Sequence, residues 1–366
     1  MAKRNFGIDL LKIISMFMIV NLHVIGHGGL AGGTQQVTGE FVVVWTWETI
    51  MYCAVNCYAI VSGFVAYGKD RKWGGTINLW VQTFFYSVGI PVLLLLTGVY
   101  DGGGLKSIVK CFFPLSTERY WYFTAYVGML LFAPLLNRVV DVMEKKELRN
   151  ALVITTLVLG LPTTIFYSDP FHVEYGCSAL WLMLMYLIGA YIKKYGTANI
   201  PKRKFIVGFW VAIALNCVVK FSVQFVATKL GIALSNSYMN ANVVPTIVIA
   251  AICLVCYFKD VDIKSTLAQK LCVGASALTY GVFLFHVHPF MINATLLDRF
   301  LWILDYPIWA MIPIIIGCSI VIFVASLLVE WCRKSLFSLL RIDRFGPFVE
   351  KQCRKLYDMA ERKFGL

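Results

Sequence analysis

Charged residues are scarce in this chain of 366 residues: they make up only 14% of it, whereas 59% of its residues are hydrophobic. This composition, with a mean hydropathy of +0.73, lies outside the range of soluble domains. Long polar stretches, internal repeats and low-complexity segments are also missing. These absences leave no room for a second, soluble domain and predict a protein embedded in a membrane.

Long apolar runs stand where polar segments are missing. A helix that crosses a hydrocarbon core of about 30 Å needs about 20 apolar residues. The stretches that approach this length are residues 6–26, 42–67, 77–98, 121–137, 151–166, 179–193, 205–228, 241–257, 273–295 and 307–331. The sequence therefore predicts an all-α polytopic membrane protein with about ten transmembrane helices. Because the fourth, fifth and sixth stretches are short, nine or eleven spans are also compatible with it.

Acidic residues are outnumbered by basic ones, 20 to 33, and the basic residues are unevenly distributed. Cytoplasmic loops of membrane proteins are enriched in Lys and Arg. With a cytoplasmic N-terminus, most of these cations fall on the cytoplasmic side, at 69–72, 138–149, 193–204 and beyond residue 331. We therefore expect both termini in the cytoplasm and a location in a bacterial plasma membrane. The same bias accounts for the net charge of +13 without a nucleic-acid partner.

Residues 332–366 differ from the membrane domain that precedes them, residues 1–331. In this tail, basic and apolar residues alternate over the run LFSLLRIDRFGPFVEKQCRKLYDMAERKF. Such a pattern is typical of amphipathic helices that lie on a membrane surface. It predicts a pair of helices on the inner leaflet, with membrane lipids as their partner.

The first span carries ionisable residues within an almost continuous apolar run, FGIDLLKIISMFMIVNLHVIGHGG at 6–29. A charge at membrane depth costs from about 2.5 kcal/mol upward, so it normally faces the interior of the bundle. Asp9 and Lys12 are close enough to pair on one helix face. Lys12 and His23 are separated by almost three full turns, about 16 Å along the axis, and point the same way. A structural alternative is that Lys12 reaches the inner headgroups and His23 makes a bond between helices.

A metal site is not expected from these residues. His23 and His27 have the spacing of a metal-binding pair, but no carboxylate or cysteine accompanies them on that helix face. The 11 cysteines lie mostly in apolar spans, where a thiol packs as a small apolar group. Cys253 and Cys256 have no second pair, so neither zinc nor a redox centre is predicted.

The spacing of Lys12 and His23 resembles the first helix of the membrane-bound acyltransferase 3 family, which has a basic residue, ten further residues and then a histidine. Four later segments are similar to motifs of that family, in the same order: CYAIVSGFVAYG at 57–68, KDRK at 69–72, YWYFTAYVGMLLFAPLL at 120–136 and TYGVFLFHVHPF at 279–290. The resemblance spans residues 6–331. It departs from the family at Lys12, Lys69 and Lys72, where arginine is usual, and lysine lacks the planar fork that binds phosphate at two points.

The resemblance implies acyl transfer from cytoplasmic acyl-CoA, with acetyl-CoA as the simplest donor, to a hydroxyl of a cell-surface glycan or a lipid-linked sugar. The cations expected to hold the phosphates of coenzyme A are Lys12, Lys69, Arg71 and Lys72. We expect His23 to act as general base, with Asp9 and Lys12 as an orienting pair. Many relatives carry an extracytoplasmic esterase-like domain. Its absence here predicts either direct transfer or a separate extracytoplasmic transferase.

Further residues are candidates for substrate binding. They are Glu48, Ser62, Trp121, Tyr122, Tyr280 and His286. Glu48 and Lys220 are charges inside spans and are predicted to line the cavity. Tyr280, His286 and His288 are candidates to bind the acceptor or polarise the acyl carbonyl, with a polar clamp between helices as an equal alternative. Trp121 and Tyr122, which follow an external loop, also fit an interfacial belt.

Two other classes of function compete with acyl transfer. A secondary transporter, for example of an amino acid, is expected to show repeat symmetry and matching broken spans, and neither is clear in the sequence. A purely structural or sensory membrane protein has no need of buried charges such as Asp9, Lys12, Glu48 and Lys220. The acyltransferase needs a basic cytoplasmic entrance and a deep histidine, and both are present.

Overall fold

The computed structural model describes residues 4–70, 72–98 and 104–364. Its helices are α1 (Phe6–Gly26), α2 (Leu30–Gly33), α3 (Gly39–Met51), α4 (Ala54–Ala66), α5 (Trp73–Leu96), α6 (Leu105–Cys111), α7 (Trp121–Val142), α8 (Lys145–Phe166), α9 (Ala179–Tyr195), α10 (Lys202–Lys229), α11 (Pro245–Phe258), α12 (Thr266–Ser276), α13 (Thr279–His286), α14 (Pro289–Met291), α15 (Ile308–Leu339) and α16 (Phe345–Phe364). Single turns of other helix types occur at Glu174–Gly176, Ile292–Leu296, Leu301–Asp305 and Ile342–Arg344. No strand is found in this part of the chain, and the predicted all-α class is confirmed.

Eight helical segments of the described chain are long and apolar enough to cross a membrane. The fourth and fifth predicted spans, which look short in the sequence, are helices of 22 residues each. Each helix extends beyond its apolar run into polar residues at one end. At 179–193 and 241–257 the structure has the shorter helices α9 and α11, of 17 and 14 residues. The polytopic membrane protein is confirmed, and the predicted ten spans correspond to eight full-length segments and these two shorter helices.

α1 lies among helices from both halves of the chain, packing against α4, α11, α12, α13 and α15. Its start is fixed by Asn5, whose side chain accepts a hydrogen bond from the Ile8 N–H (3.0 Å) and donates one to the Lys259 carbonyl (2.8 Å). Gly7 lets the helix approach that connection, because a Cβ there would overlap the Phe258 carbonyl oxygen. The polar side chains at the start of α1 therefore pack against other parts of the protein.

α4 and α9 approach each other through a pair of glycines. A Cβ on Gly63 would overlap the carbonyl oxygen of Tyr186, and a Cβ on Gly189 would overlap that of Ile60. Small residues at a crossing allow the backbones of membrane helices to pack closely. This contact fixes the orientation of α4, whose other face borders the site described below.

The tail differs from the predicted pair of helices. α15 runs without a break to Leu339, so the boundary expected at residue 332 falls inside a helix, where Glu330 and Arg333 form an ion pair one turn apart. Among the tail residues that the structure describes, α16 follows the short turn at Ile342–Arg344 as a separate α-helix, and it packs against α5. The Gly346 N–H donates to the side-chain oxygen of Asn78 (2.9 Å), and the Gly74 N–H donates to the Glu350 carboxylate (2.8 Å).

Candidate active site

A cavity of about 330 Å³ lies between α1, α4, α5, α7 and the α12–α13 segment. Lys12 and His23 both border it. The prediction that these two residues share one helix face is confirmed, and that face is turned toward a space inside the bundle. Tyr58 also borders the cavity, and its hydroxyl donates to the carbonyl oxygen of Lys12 (2.6 Å).

A second depression, of about 520 Å³, adjoins this cavity. Lys69, Asp70 and Lys72 line its mouth, at the end of α4 and the start of α5. The two spaces share wall residues on α4, α5 and α7, namely Val65, Ala66, Leu79 and Tyr126. A basic entrance therefore leads toward His23, while Arg71, the remaining predicted cation, lies outside the described residues.

His23 is held by a second histidine. Its Nδ1 lies 2.9 Å from Nε2 of His286, and Nδ1 of His286 lies 2.6 Å from the Val282 carbonyl oxygen. Since a carbonyl only accepts, Nδ1 of His286 carries a proton, and for two uncharged imidazoles its Nε2 is then an acceptor. Nδ1 of His23 must donate to it, which leaves a lone pair on Nε2 of His23. No residue in the described ranges bonds that nitrogen.

Asp9 is a buried anchor near the other end of the cavity. Its carboxylate accepts from Arg4 Nε (2.6 Å) and from the Ser276 hydroxyl (3.1 Å), and it lies 3.8 Å from the Lys12 ammonium. The predicted Asp9–Lys12 pair is thus present. Arg4, which the sequence patterns did not single out, makes the shorter contact. A carboxylate held from several sides fixes where the ammonium of Lys12 sits.

The remaining predicted residues are placed as follows. Ser62, Trp121, Tyr122 and Tyr280 all border the cavity. The Ser62 hydroxyl donates to the Tyr58 carbonyl oxygen (2.9 Å), and the Tyr280 and Thr83 hydroxyls lie 2.6 Å apart. His286 stands behind His23. Aromatic side chains thus form much of the wall, and their contacts with a substrate stay a prediction.

Glu48 and Lys220 do not border this cavity, so the prediction that they line it needs correction. Lys220 donates to the carbonyl oxygens of Asn236 (2.5 Å) and Tyr238 (2.7 Å), and its ammonium lies 4.1 Å from the centre of the Trp45 ring. Glu48 accepts from Asn240 at 3.4 Å. Irregular backbone at membrane depth needs such partners. Lys220 and Glu48 therefore stabilise the irregular segment before α11.

One buried acid, Glu330, does not stand out in the sequence pattern. Glu330 is fully buried, and its carboxylate accepts from the Tyr86 hydroxyl (2.8 Å), the Gln82 amide (3.1 Å) and Arg333. It also fills the space beside Gly281, where a Cβ would overlap it. Residue 330 lies near the end of an apolar run, where a lone acid looks like an interfacial residue. Its side chain joins α5, α13 and α15 through contacts that become visible only in the folded structure.

The fold and the site define a polytopic membrane protein whose inner histidine faces a cavity with a basic entrance. Comparison with protein families matches residues 5–331 to the acyltransferase domain of the acyltransferase 3 family. The chain therefore belongs to that family, and it is a membrane acyltransferase. Neither a curated protein nor a solved structure matches it.

Histidine is a common ligand of metal ions. In residues 4–70, 72–98 and 104–364, no three His, Cys, Asp or Glu side chains come close enough together to bind one. His23 and His27 lie side by side, with ring centres 5.2 Å apart. His23, however, is engaged at Nδ1 by a third imidazole, that of His286. The arrangement suits proton transfer at one nitrogen.

Proposed function

We propose that this protein moves an acyl group, acetyl in the simplest case, from cytoplasmic acyl-CoA to a hydroxyl of an extracytoplasmic glycan or lipid-linked sugar. Coenzyme A enters at the basic mouth formed by Lys69 and Lys72, with Arg71 between them in sequence. The thioester reaches the cavity bordered by His23. Membership of an acyltransferase family supports this reaction over solute transport.

The observation that carries the proposal is the protonation pattern of the histidine pair. The Val282 carbonyl fixes the tautomer of His286, and His286 fixes the tautomer of His23, so that Nε2 of His23 is a hydrogen-bond acceptor at the cavity wall. A general base must present a free lone pair to the hydroxyl that it deprotonates. His23 meets that requirement.

In the proposed reaction, Nε2 of His23 takes the proton of the acceptor hydroxyl as the oxygen attacks the thioester carbonyl. The tetrahedral intermediate collapses, the carbon–sulfur bond breaks, and the coenzyme A thiolate leaves. The protonated His23 returns its proton to that thiolate. The products are an ester and free coenzyme A, and the imidazole is restored to its starting state.

The acceptor is proposed to enter from the end of the bundle where α1 ends and α7 begins. Trp121 and Tyr122 stand there on the cavity wall, and Tyr122 stacks on Tyr126 with ring centres 5.7 Å apart. Aromatic faces suit a sugar ring or an acyl chain. If the acyl group passes first to a separate extracytoplasmic transferase, the same opening serves that partner.

The test is acyl transfer by the purified full chain in lipid vesicles supplied with acetyl-CoA and cell-surface glycan, with free thiol and glycan ester both measured. The variant Lys69→Ala/Lys72→Ala should bind acyl-CoA at least tenfold more weakly, since two charge-assisted contacts are lost. Lys202→Ala/Lys204→Ala is the matched control, because it removes two exposed lysines near that end of the bundle. Absence of any transfer from wild-type protein, or equal affinity in both variants, would contradict the proposal.

A further inference from the structure

A group of buried polar atoms without partners lies beside the start of α7. They are Nε and Nη2 of Arg119, the hydroxyl of Tyr120 and Nε2 of His288. Tyr120 is only 2% exposed and His288 is fully buried. Buried polar groups are normally hydrogen-bonded, so several orphans in one place need an explanation.

The protonation state of His288 makes its orphaned atom a donor. The Phe290 N–H donates to Nδ1 of His288 at 3.2 Å, so Nδ1 is the acceptor nitrogen of a neutral ring. The proton must then be on Nε2. The backbone of Ser87 is a neighbouring hydrogen-bonding group of this ring, but it does not reach hydrogen-bond geometry with Nε2. His288 therefore offers an N–H that has no acceptor.

Arg119 brings a positive charge with no counterion. Among the described residues no carboxylate forms an ion pair with it. Its guanidinium instead lies 4.6 Å from the centre of the Phe290 ring and is within hydrogen-bonding reach of the Cys111 sulfur, which is a weak acceptor. Burying a charge without a compensating partner is strongly unfavourable. The buried Nε and Nη2 atoms of this guanidinium therefore lack a partner that would offset the cost.

The N-terminus of α7 adds positive electrostatic potential at the same place. Tyr120 is the N-cap of this 22-residue helix and makes no side-chain cap. The first N–H groups of a helix and its dipole favour an anion at this end. Four side-chain atoms and the helix terminus thus present donors and positive charge, and the group includes no carboxylate.

We propose that Arg119, Tyr120 and His288 bind an oxyanion, a phosphate or carboxylate group, at the end of the bundle where α7 begins. Arg119 is half-buried, and its exposed part gives the anion its approach. The site is separate from the cavity at His23. The ring of Phe283 stands between them, lining the cavity and lying 6.2 Å from the centre of the Tyr120 ring. The proposal is independent of the acyl-transfer chemistry.

The oxyanion has two sources, a soluble ion or a lipid headgroup, and the experiment has an arm for each. In the first, thermal unfolding of the full chain in detergent is followed against sodium phosphate, with sodium chloride keeping the ionic strength constant. A ligand that binds only the folded state raises the unfolding temperature with its concentration. In the second, native mass spectrometry measures phosphatidylglycerol retained from nanodiscs that also contain phosphatidylcholine.

Wild-type protein should respond in at least one arm, and Arg119→Gln should lose that response. The control Arg299→Gln should keep it, since Arg299 is an exposed arginine at the same end of the bundle. Loss of the phosphate response identifies a soluble oxyanion, and loss of retained phosphatidylglycerol identifies a headgroup. No response from wild-type protein in either arm, or an equal response from Arg119→Gln, overturns the proposal.

A second variant keeps the test decisive if Arg119→Gln does not fold. Tyr120→Phe removes one hydroxyl and nothing else. It should weaken the same response by roughly threefold to tenfold, the effect of one hydrogen bond. An unchanged affinity in Tyr120→Phe, together with loss of folding in Arg119→Gln, assigns these residues to structure alone and overturns the site.

Discussion

At the scale of single residues, the proton positions along the chain Val282–His286–His23 determine what His23 can do. His286 does not border the cavity, so its effect on the reaction passes through His23. It accepts the Nδ1 proton of His23 at 2.9 Å. In this account His286 is a positioning residue, and its loss frees the His23 ring to rotate or to change tautomer.

The role of His286 can be separated from a merely structural one by two variants. His286→Leu removes the acceptor and should lower kcat about tenfold to hundredfold, the scale seen when an orienting partner is lost. His286→Gln keeps an oxygen acceptor and should recover much of that loss. The dissociation constant of acyl-CoA should stay unchanged in both, because the basic mouth is distant. Equal rates in the two variants would show that the acceptor atom is irrelevant.

The sequence predicts the pairing within α1 but not the pairing across helices. Lys12 and His23 lie on one face because helix geometry relates positions eleven residues apart. His23 and His286 are 263 residues apart, and no periodicity connects them. The same limit hides Arg119 and His288. Arg119 looks ordinary in the sequence and His288 is one of several candidates there, and the two come together only once the segments that precede α7 and α14 are packed.

At the scale of elements, the docking of α16 on α5 depends on Gly74. A Cβ on Gly74 would lie 2.8 Å from the Pro347 nitrogen and 3.0 Å from the Gly346 carbonyl carbon, and neither backbone atom can move aside alone. Gly74→Ala should therefore release the tail and speed tryptic cleavage at Arg354 by about tenfold or more. Gly75→Ala is the control, since nothing lies within 4 Å of that position. Identical cleavage rates in the two variants would contradict this docking.

The same contact predicts a pH dependence. The Gly74 backbone N–H, with a smaller contribution from Arg354, holds the pKa of Glu350 below its ordinary value of 4.5. Docking is then stabilised by the ionised carboxylate above about pH 4.5. This contribution is lost as the pH falls through the lowered pKa of the docked state. Glu350→Gln should abolish the dependence.

Spin labels on Cys353 and on Gly75→Cys provide the measurement. Their distance distribution should broaden as the pH is lowered below 4.5 in the chain that keeps Glu350. It should not change with pH in Glu350→Gln. A distribution that broadens alike in both would place the cause elsewhere in the tail.

The elements themselves were only partly predictable. The apolar runs locate α9 and α11 correctly, but their lengths depend on where neighbouring polar backbone is satisfied. α11 is preceded by a segment whose carbonyls are bound by Lys220. The helices of the tail were harder to predict from the sequence, because alternating basic and apolar residues fit both the last turns of α15 and a separate helix. Only the ion pair of Glu330 with Arg333 and the contacts of Gly346 decide between the two.

At the scale of the whole molecule, the positive charge of the chain predicts which end faces the cytoplasm. Lys69, Lys72 and α16 should be cytoplasmic, and the segment that contains Gln35 should be outside. A membrane-impermeant maleimide should modify Gln35→Cys in intact cells and reach the exposed Cys353 only after permeabilisation. Labelling of Cys353 in intact cells would reverse the orientation and place the basic mouth on the wrong side for cytoplasmic acyl-CoA.

The molecule as a whole joins a basic mouth, a cavity and a histidine whose partner fixes its tautomer. The most direct test is the single-turnover rate of acyl transfer by His23→Ala in vesicles, compared with wild-type protein and with His27→Ala. His27 lies one turn further on and does not border the cavity. The account predicts that His23→Ala loses about a hundredfold to ten-thousandfold in rate, with acyl-CoA binding intact and His27→Ala close to wild type. Near-normal transfer by His23→Ala would contradict it.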